Sequence, residues 1–299
     1  MSSPTVSVII PTYNRPEKLL RAVNSVLEQT YQDIEIIVIN DFPEQDVSEV
    51  LPDYESVRCI QHKQNRGAPV ARNNGIQSSN GEFIALLDDD DAWKPQKLEK
   101  QIEYIKSASS SVGLVYAGRE IIYSDGKKDV EISNNDGWVH QELLKKNFIP
   151  SETPIIRAEC FDCVGLFDPD LPSCQDYDLW LRIAKEYKVG VLEQPLAIAF
   201  RDHEDRISNN MNKKYTGHRM LIKKHNDDFK MNPSALSKHH RQIGIFAMRS
   251  NRVSEAQSYL LSVFTSNPSD VILLFYMVLN YAPASVQEKF FSLKESLYQ

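Results

Sequence analysis

The first hundred residues alternate between two hydrophobic rhythms. Residues 6–10 (VSVII), 34–39 (IEIIVI), 57–61 (VRCIQ) and 83–88 (FIALLD) are short apolar runs rich in β-branched side chains, the third weaker than the others. Continuous runs of this length suit strands buried on both faces of a parallel sheet. Between them, apolar residues recur at helical spacing: Leu19, Leu20, Val23, Val26 and Leu27 within 16–28, and Ala68, Val70, Ala71 and Ile76 within 67–77. A third amphipathic segment, 95–107, is opened by Pro95. Asn14 followed by Glu17 has the form of a capping box, with Pro16 in the first turn. Strand–helix–strand units in this order predict a right-handed, doubly wound α/β sheet.

From Gly113 the pattern loosens. GLVYAG and REIIYSD predict a short strand pair, GWVHQELLKKN a helix, TPIIRAECF a lead into a turn, QDYDLWLRIAKEY a strong amphipathic helix and KVGVLEQPLAIAFRDH a return to strands. After about residue 213 the chain reads as helical throughout, and EAQSYLLSVFTSNPSD has the step of a tetratricopeptide-type helix pair. One such unit is not a repeat array, so this part is expected to be an appended helical subdomain. Its apolar run Val271–Leu279 is far shorter than the roughly 20 residues a bilayer span needs. Lacking a flanking basic face, it is expected to be buried against the α/β domain, with interfacial membrane attachment as the alternative.

Composition narrows the class. Of 299 residues, 41% are hydrophobic and 25% charged, as in ordinary globular proteins, and the net charge of −7 argues against a nucleic-acid surface. No cationic segment leads into an apolar core at the start, so no secretory signal is read and a cytoplasmic setting is expected. Cys160 and Cys163 form a C-x-x-C without a second ligand pair, which predicts partly buried thiols on a short helix, in a reducing compartment.

Ligands of such sheets bind beyond the carboxyl ends of the strands. There the sequence reads PTYNRP, NDFPEQD and DDDDAW after the first, second and fourth strands. No G-x-G-x-x-G follows the first strand and no G-x-x-x-x-G-K-[ST] occurs, so neither a dinucleotide fingerprint nor a P-loop handles phosphate. Four consecutive aspartates, Asp88–Asp91, repel one another and raise each other's pKa unless a cation sits among them. A carboxylate-held metal is the obvious alternative phosphate device.

Five segments, VSVIIPTYNRP, YQDIEIIVIND, NRGAPVARNNGI, ALLDDDDAWKPQKL and QDYDLWLRIA, occur in the order and at the intervals of the family 2 glycosyltransferases, which the chain resembles over about residues 5–205. The resemblance implies the GT-A fold: a doubly wound mixed sheet with helices on both faces, here with a C-terminal helical subdomain. It implies a catalytic domain at 1–212, with a nucleotide-binding half to about 112 and an acceptor half over 113–212, and an extension at 213–299. It further implies an inverting transfer of a sugar from a nucleoside diphosphate donor, by default a UDP-sugar, to a hydroxyl on a glycan, lipid-linked or protein acceptor. The cofactor would be Mn²⁺ or Mg²⁺, which prefer oxygen ligands and leave positions for phosphate.

Position by position, the family's D-x-D maps onto Asp88 and Asp90. Asp90 would be the main metal ligand, and Asp88 would contact ribose or metal. Asp89 is grouped with the donor-binding residues, and Asp91 would cap the helix near Pro95 or orient the ligands. Asp41 matches the aspartate that hydrogen-bonds the nucleobase, although NDFP stands where D-D-G-S is usual. Thr12 and Tyr13 match residues lining the base pocket, and Arg72 an arginine near the nucleotide. Asp176 corresponds to the aspartate of the E-D motif, with Gln175 in place of glutamate; it would be the general base, with Asp178 in reserve. In FRDHEDRIS, Arg201 would bind diphosphate and His203 would complete the metal shell or touch phosphate. Trp93 and Trp180 read as packing residues, Trp93 also as a candidate floor for the sugar. The competing reading is a non-catalytic nucleotide-sugar-binding or scaffold protein of the same fold, which the departures at Asn40 and Gln175 keep open.

Overall fold

The computed structural model describes residues 4–51, 53–201, 210–266 and 270–297. The chain runs β1 (Val6–Thr12), α1 (Pro16–Leu27), β2 (Ile34–Asn40), β3 (Val57–Gln61), α2 (Ala68–Gln77), β4 (Phe83–Leu86), β5 (Asp91–Trp93) and α3 (Lys97–Ser107). It continues with β6 (Val112–Tyr123), β7 (Lys128–Glu131), α4 (His140–Lys145), β8 (Ile155–Arg157), α5 (Glu159–Val164), α6 (Gln175–Glu186) and β9 (Lys188–Arg201). Six helices complete the described chain: α7 (Met211–Lys224), α8 (Asn226–Met231), α9 (Pro233–Arg249), α10 (Val253–Ser266), α11 (Val271–Leu279) and α12 (Ala284–Leu297).

The described residues form two compact units. One holds the chain up to Leu143, Asn147–Pro169 and 175–201; the other holds Leu144–Lys146, Asp170–Cys174 and the helices from α7 onward. In the first unit the strands are ordered β3-β2-β1-β4-β8-β6-β9-β5, with β7 paired to β6. Strands β1 to β4 pair in parallel, β8 is antiparallel to both β4 and β6, and β5 is antiparallel to β9. The sheet is therefore mixed, parallel where the crossover helices require it.

Its faces explain the continuous apolar runs. Val6, Val8 and Ile10 point into a core shared with Leu19, Val23 and Val26 of α1 and Leu98, Ile102 and Ile105 of α3. On the opposite face, Ile9 and Ile39 meet α2 at Gly75, where an added Cβ would lie 2.4 Å from Ile9 Cγ2 and 2.6 Å from Ile39 Cδ1. With no side chain there, α2 lies against the sheet, and this matters because α2 carries Arg72 and Asn74.

Several local expectations change. Asn14 does not cap α1: Arg15 occupies the cap position without a side-chain capping hydrogen bond, and Asn14 is left-handed with φ 53°. Pro16 forces the residue before it out of the helical region, and Asn tolerates the left-handed turn that results. The expected strand pair over 113–125 is one strand, β6, whose register with β9 shifts around Gly118, where the chain bulges. TPIIRAECF leads into β8 and α5. Cys160 and Cys163 do lie on the short helix α5, the first buried and the second exposed, and neither is in a disulfide. Helix α3 starts at Lys97, and Asp91 does not cap it; its Oδ1 accepts from Phe200 N at 3.2 Å, fastening β5 to β9. Trp93 is no sugar floor: it is buried, donates from Nε1 to the Glu152 carbonyl at 2.7 Å and lies under the Lys97 ammonium at 3.8 Å. Burial pulls Lys97 well below the ordinary lysine range.

In the second unit, Ile243, Phe246, Leu260, Leu273, Tyr276 and Phe291 share one core. Only part of α11 enters it. Ile272, Leu274, Phe275 and Val278 are exposed.

The fit at Gly75 predicts that Gly75→Val costs about 1–3 kcal/mol of stability by overpacking between α2 and the sheet. Urea unfolding, comparing midpoints at unchanged slope, measures it.

Candidate active site

The acidic run occupies the turn between β4 and β5, and each carboxylate meets a different partner. Asp88 Oδ1 pairs with Arg72 Nη2 at 2.5 Å, and its Oδ2 accepts from Ser151 Oγ at 3.3 Å. Asp89 Oδ2 accepts from Thr12 Oγ1, at the end of β1, at 2.7 Å. Arg15 Nη1 lies 3.5 Å from both Asp89 Oδ1 and Asp90 Oδ2. Arg21 donates to the Asp90 carbonyl at 2.6 Å, with its guanidinium 3.7 Å from the centre of the Phe200 ring. Neither Arg15 nor Arg21 is in the predicted set. Arginines from α1, its cap and α2 thus neutralise the run from two sides.

Burial leaves its mark on the charges. Asp89 is pushed up to about 6 by burial, against the hydrogen bond from Thr12 and the charge of Arg15, with Asp90 and Asp88 adding to the rise. Burial works against the charge of Arg72, but Asp88 outweighs it and holds the guanidinium above its ordinary value, with help from Asp176 and Asp89.

Arg72 is therefore the link to the opposite wall. Asp176 opens α6 beside it, and its Oδ2 accepts from Asn147 Nδ2 at 3.3 Å. Burial raises Asp176, opposed by the Tyr177 backbone N–H and Arg72 and reinforced by the charge of Asp88. Asp178 is different: it is fully buried and bound by Arg182 Nε and Nη2 at 3.0 and 2.8 Å. That i,i+4 ion pair commits it to holding α6, so it offers no reserve base.

A second patch adjoins Thr12, whose carbonyl accepts from Asp41 N at 2.9 Å. Asp41 is buried at the end of β2. Its Oδ1 receives Arg66 N at 2.8 Å and its Oδ2 Gly67 N at 2.7 Å, Gly67 being free to adopt φ 86°. His62 Nδ1 lies 2.8 Å from the same Oδ1, and His62 Nε2 is 2.8 Å from Asn74 Nδ2. With the Asn74 amide as assigned, Nε2 accepts and Nδ1–H donates to Asp41. A carboxylate offers about four lone-pair sites, so these three donors leave space for one more. Tyr13, at 47% exposure, meets the Phe42 ring edge-on at 5.1 Å. The departure at Asn40 also has a local cause: its amide donates to Gln45 O and Gln61 Oε1 at 2.6 and 2.7 Å while accepting from Phe42 N. An aspartate there could make only the last of these bonds.

The structure thus brings Thr12, Arg72, Asp88, Asp89, Asp90 and Asp176 into one constellation, with Asp41 and Tyr13 contiguous at Thr12. Arg201 ends β9, two residues beyond the Ala199–Asp91 pair. His203 lies outside the described residues. His62, Asn74, Arg15, Arg21 and Ser151 add to the predicted set; of these only His62 and Arg15 closely follow strand ends, and Arg21 and Asn74 lie within helices. Among the described residues, no group of three or more His, Cys, Asp or Glu side chains gathers to hold a metal. Hard carboxylate oxygens at Asp88 and Asp90 fit a divalent ion that draws its other ligands from diphosphate and water.

The native carboxyl of Asp89, at about 6, holds its proton more tightly than the unfolded chain does near 3.8. Its contribution to stability is then present below pH 4 and lost as pH rises through about 6. Asp89→Asn should remove that limb, gaining up to about 3 kcal/mol above pH 7 relative to wild type. Denaturant melts of both proteins from pH 4 to 8 in chelator measure the difference.

Comparison with known proteins agrees with this architecture. The family model for glycosyl transferase family 2 matches residues 7–166. The chain is 32% identical over 213 residues to an uncharacterized glycosyltransferase of Rickettsia typhi, covering 69% of this chain and 67% of that one. It also matches a Rickettsia felis relative of which it spans only 35%. A Bacillus subtilis protein, TuaG, named as a candidate teichuronic acid biosynthesis glycosyltransferase, is 31% identical over 188 residues, covering 61% of this chain and 73% of that protein. Staphylococcus aureus TarS 1–349, solved with UDP-GlcNAc, superposes with a TM-score of 0.64 at 16% identity, covering 96% of this chain and 92% of that one. The Pyrobaculum calidifontis mannosyltransferase PcManGT, solved with GDP-Man and Mn²⁺, gives 0.61 at 16% identity, covering 96% and 85%. The fold is the GT-A mixed sheet with helices on both faces, and the chain belongs to glycosyltransferase family 2.

Proposed function

We propose that the chain transfers a sugar, with inversion, from a nucleoside diphosphate donor to a hydroxyl acceptor during glycan or polysaccharide biosynthesis. The observation that carries this is Arg72, which is ion-paired with a strand-end carboxylate, Asp88, and whose charge also acts on Asp176, the carboxylate opening the facing helix. One carboxylate group handles the leaving diphosphate and the other the attacking hydroxyl, so the sugar would lie between them.

Asp176 takes the acceptor proton as the hydroxyl oxygen bonds to the anomeric carbon and the diphosphate departs with the bonding electron pair. Its raised pKa makes it a stronger base than an ordinary aspartate. Arg72 balances charge on the departing phosphate. Asp90, supported by Asp88, would hold Mn²⁺ or Mg²⁺, which supplies neutralisation of the diphosphate when bound. Asp41 accepts from a nucleobase N–H, with Tyr13 and Phe42 along the base and Thr12 beneath it. His62, fixed by Asn74, is the positioning residue for Asp41. Arg201 and His203 are assigned to the diphosphate and the metal shell by resemblance alone. A UDP-sugar donor is favoured by the retention of Asp41 and by the UDP-GlcNAc complex of TarS, while PcManGT with GDP-Man keeps the guanine alternative open. The kinship with TuaG and with an Escherichia coli protein named for colanic acid biosynthesis favours a polysaccharide or lipid-linked acceptor over a protein one.

Asp176→Asn should lower kcat by about 10²–10⁴-fold while leaving donor binding intact. Because the wild-type group is raised by burial, its charge opposes folding at neutral pH, so the variant's Tm should equal or exceed that of wild type. Wild-type kcat should fall on acidification along a limb above the ordinary aspartate value of about 3.9. A wild type that binds nucleotide sugars yet turns none over would transfer support to the non-catalytic reading.

Asp90→Ala should abolish turnover with Mn²⁺ across a panel of nucleotide sugars without lowering Tm. His62→Ala should raise the donor KM by about tenfold at little change in kcat, the loss of roughly one charge-assisted hydrogen bond. An unchanged KM with a lowered Tm would make His62 structural only.

A further inference from the structure

We propose that Arg15 is the resident counter-ion of the donor site: it holds the Asp89–Asp90 pair until a nucleoside diphosphate draws it off and a divalent cation takes its place at Asp90. This role rests on the donor site proposed above and adds to it a cation that must be exchanged. Three arginines reach the acidic run, and they hold it differently. Arg72 pairs with Asp88 at 2.5 Å. Arg21 donates to the Asp90 carbonyl at 2.6 Å, with its guanidinium against the Phe200 ring. Both are committed by short contacts. Arg15 stands apart: its Nη1 lies 3.5 Å from Asp89 Oδ1 and 3.5 Å from Asp90 Oδ2, at the long edge of hydrogen-bonding distance. Its side chain is 31% exposed, against 13% for Arg72. Arg15 therefore lends charge to both carboxylates and is fixed by neither.

The backbone leaves that side chain able to move. Asn14 before it is left-handed, Pro16 after it opens α1, and Arg15 makes no side-chain capping hydrogen bond. Its guanidinium can leave the carboxylates by side-chain rotation alone, without unwinding the helix. Charge makes the exchange necessary. The oxygen that Arg15 faces, Asp90 Oδ2, belongs to the carboxylate assigned to the metal. A guanidinium and a divalent cation within a few ångströms of one oxygen repel each other. While Arg15 is in place, a metal ion arriving alone meets carboxylates that are already neutralised. A diphosphate changes the balance, because its oxygens attract the guanidinium as well as the metal. Metal and nucleotide then bind cooperatively, with Arg15 as a source of the coupling.

The test measures Mn²⁺ binding to the full chain by electron paramagnetic resonance of the free ion, without nucleotide and in saturating UDP. Arg15→Gln should tighten the binding of Mn²⁺ alone by about threefold or more, the scale of losing one solvent-accessible ion pair. In saturating UDP the affinity should be unchanged or weaker, so the factor by which UDP tightens Mn²⁺ should shrink in the variant by at least the same amount. Arg15→Lys, which keeps a charge, should stay near wild type. Thermal melts supply a readout that also checks folding: Mn²⁺ alone should raise the Tm of Arg15→Gln by more than it raises that of wild type. Mn²⁺ alone binding to Arg15→Gln no more tightly than to wild type, or an undiminished UDP effect, would overturn the counter-ion role while leaving the donor site standing. UDP that fails to tighten Mn²⁺ on wild type and on both variants would instead sink the donor-site reading, and the role of Arg15 with it.

Discussion

Four carboxylates in a turn at the end of a buried strand are the constraint around which the rest is arranged. Left alone they would repel one another in a poorly solvated pocket. The structure divides them among partners, Arg72 for Asp88, Thr12 and Arg15 for Asp89, Arg15 for Asp90, and the Phe200 N–H for Asp91. Each partner comes from a different element, so the run can exist only where β1, α1, α2 and β9 converge. Folding and the building of the site are one event.

The same arrangement stores the chemistry. Carboxylates kept partly out of water are raised, Asp89 to about 6 and Asp176 above its ordinary range. A raised carboxylate opposes folding at neutral pH, and it is a better base for that reason. Asp178, two residues from Asp176, has the opposite fate: Arg182 saturates it, and it works for the helix. Chemistry and architecture are separated by which face of α6 a residue occupies.

Departures from the family pattern also resolve into local physics. Asn40 is an amide because two acceptors, Gln45 O and Gln61 Oε1, face its nitrogen. Asp41 is held by two backbone N–H groups and by His62, so the loop after β3 and the start of α2 preorganise it. Close packing at Gly75 sets α2 against the sheet and thereby sets the positions of both Arg72 and Asn74.

Residue order alone determined the alternating strands and helices to Ser107, the absence of a P-loop or dinucleotide fingerprint, and the family, because periodicity and motif spacing are local properties. It also marked Thr12, Asp88, Asp90 and Asp176 as residues to watch. It misread Asn14 as a cap and GLVYAG with REIIYSD as a strand pair, since Pro16 and a register shift within one long strand decided those cases. Only the tertiary structure revealed His62 behind Asp41, Arg15 between Asp89 and Asp90, and Arg72 against Asp88. These pairs are separated by 16 to 75 positions in the chain, and no pattern within one segment records which distant side chains the sheet will bring within hydrogen-bonding reach.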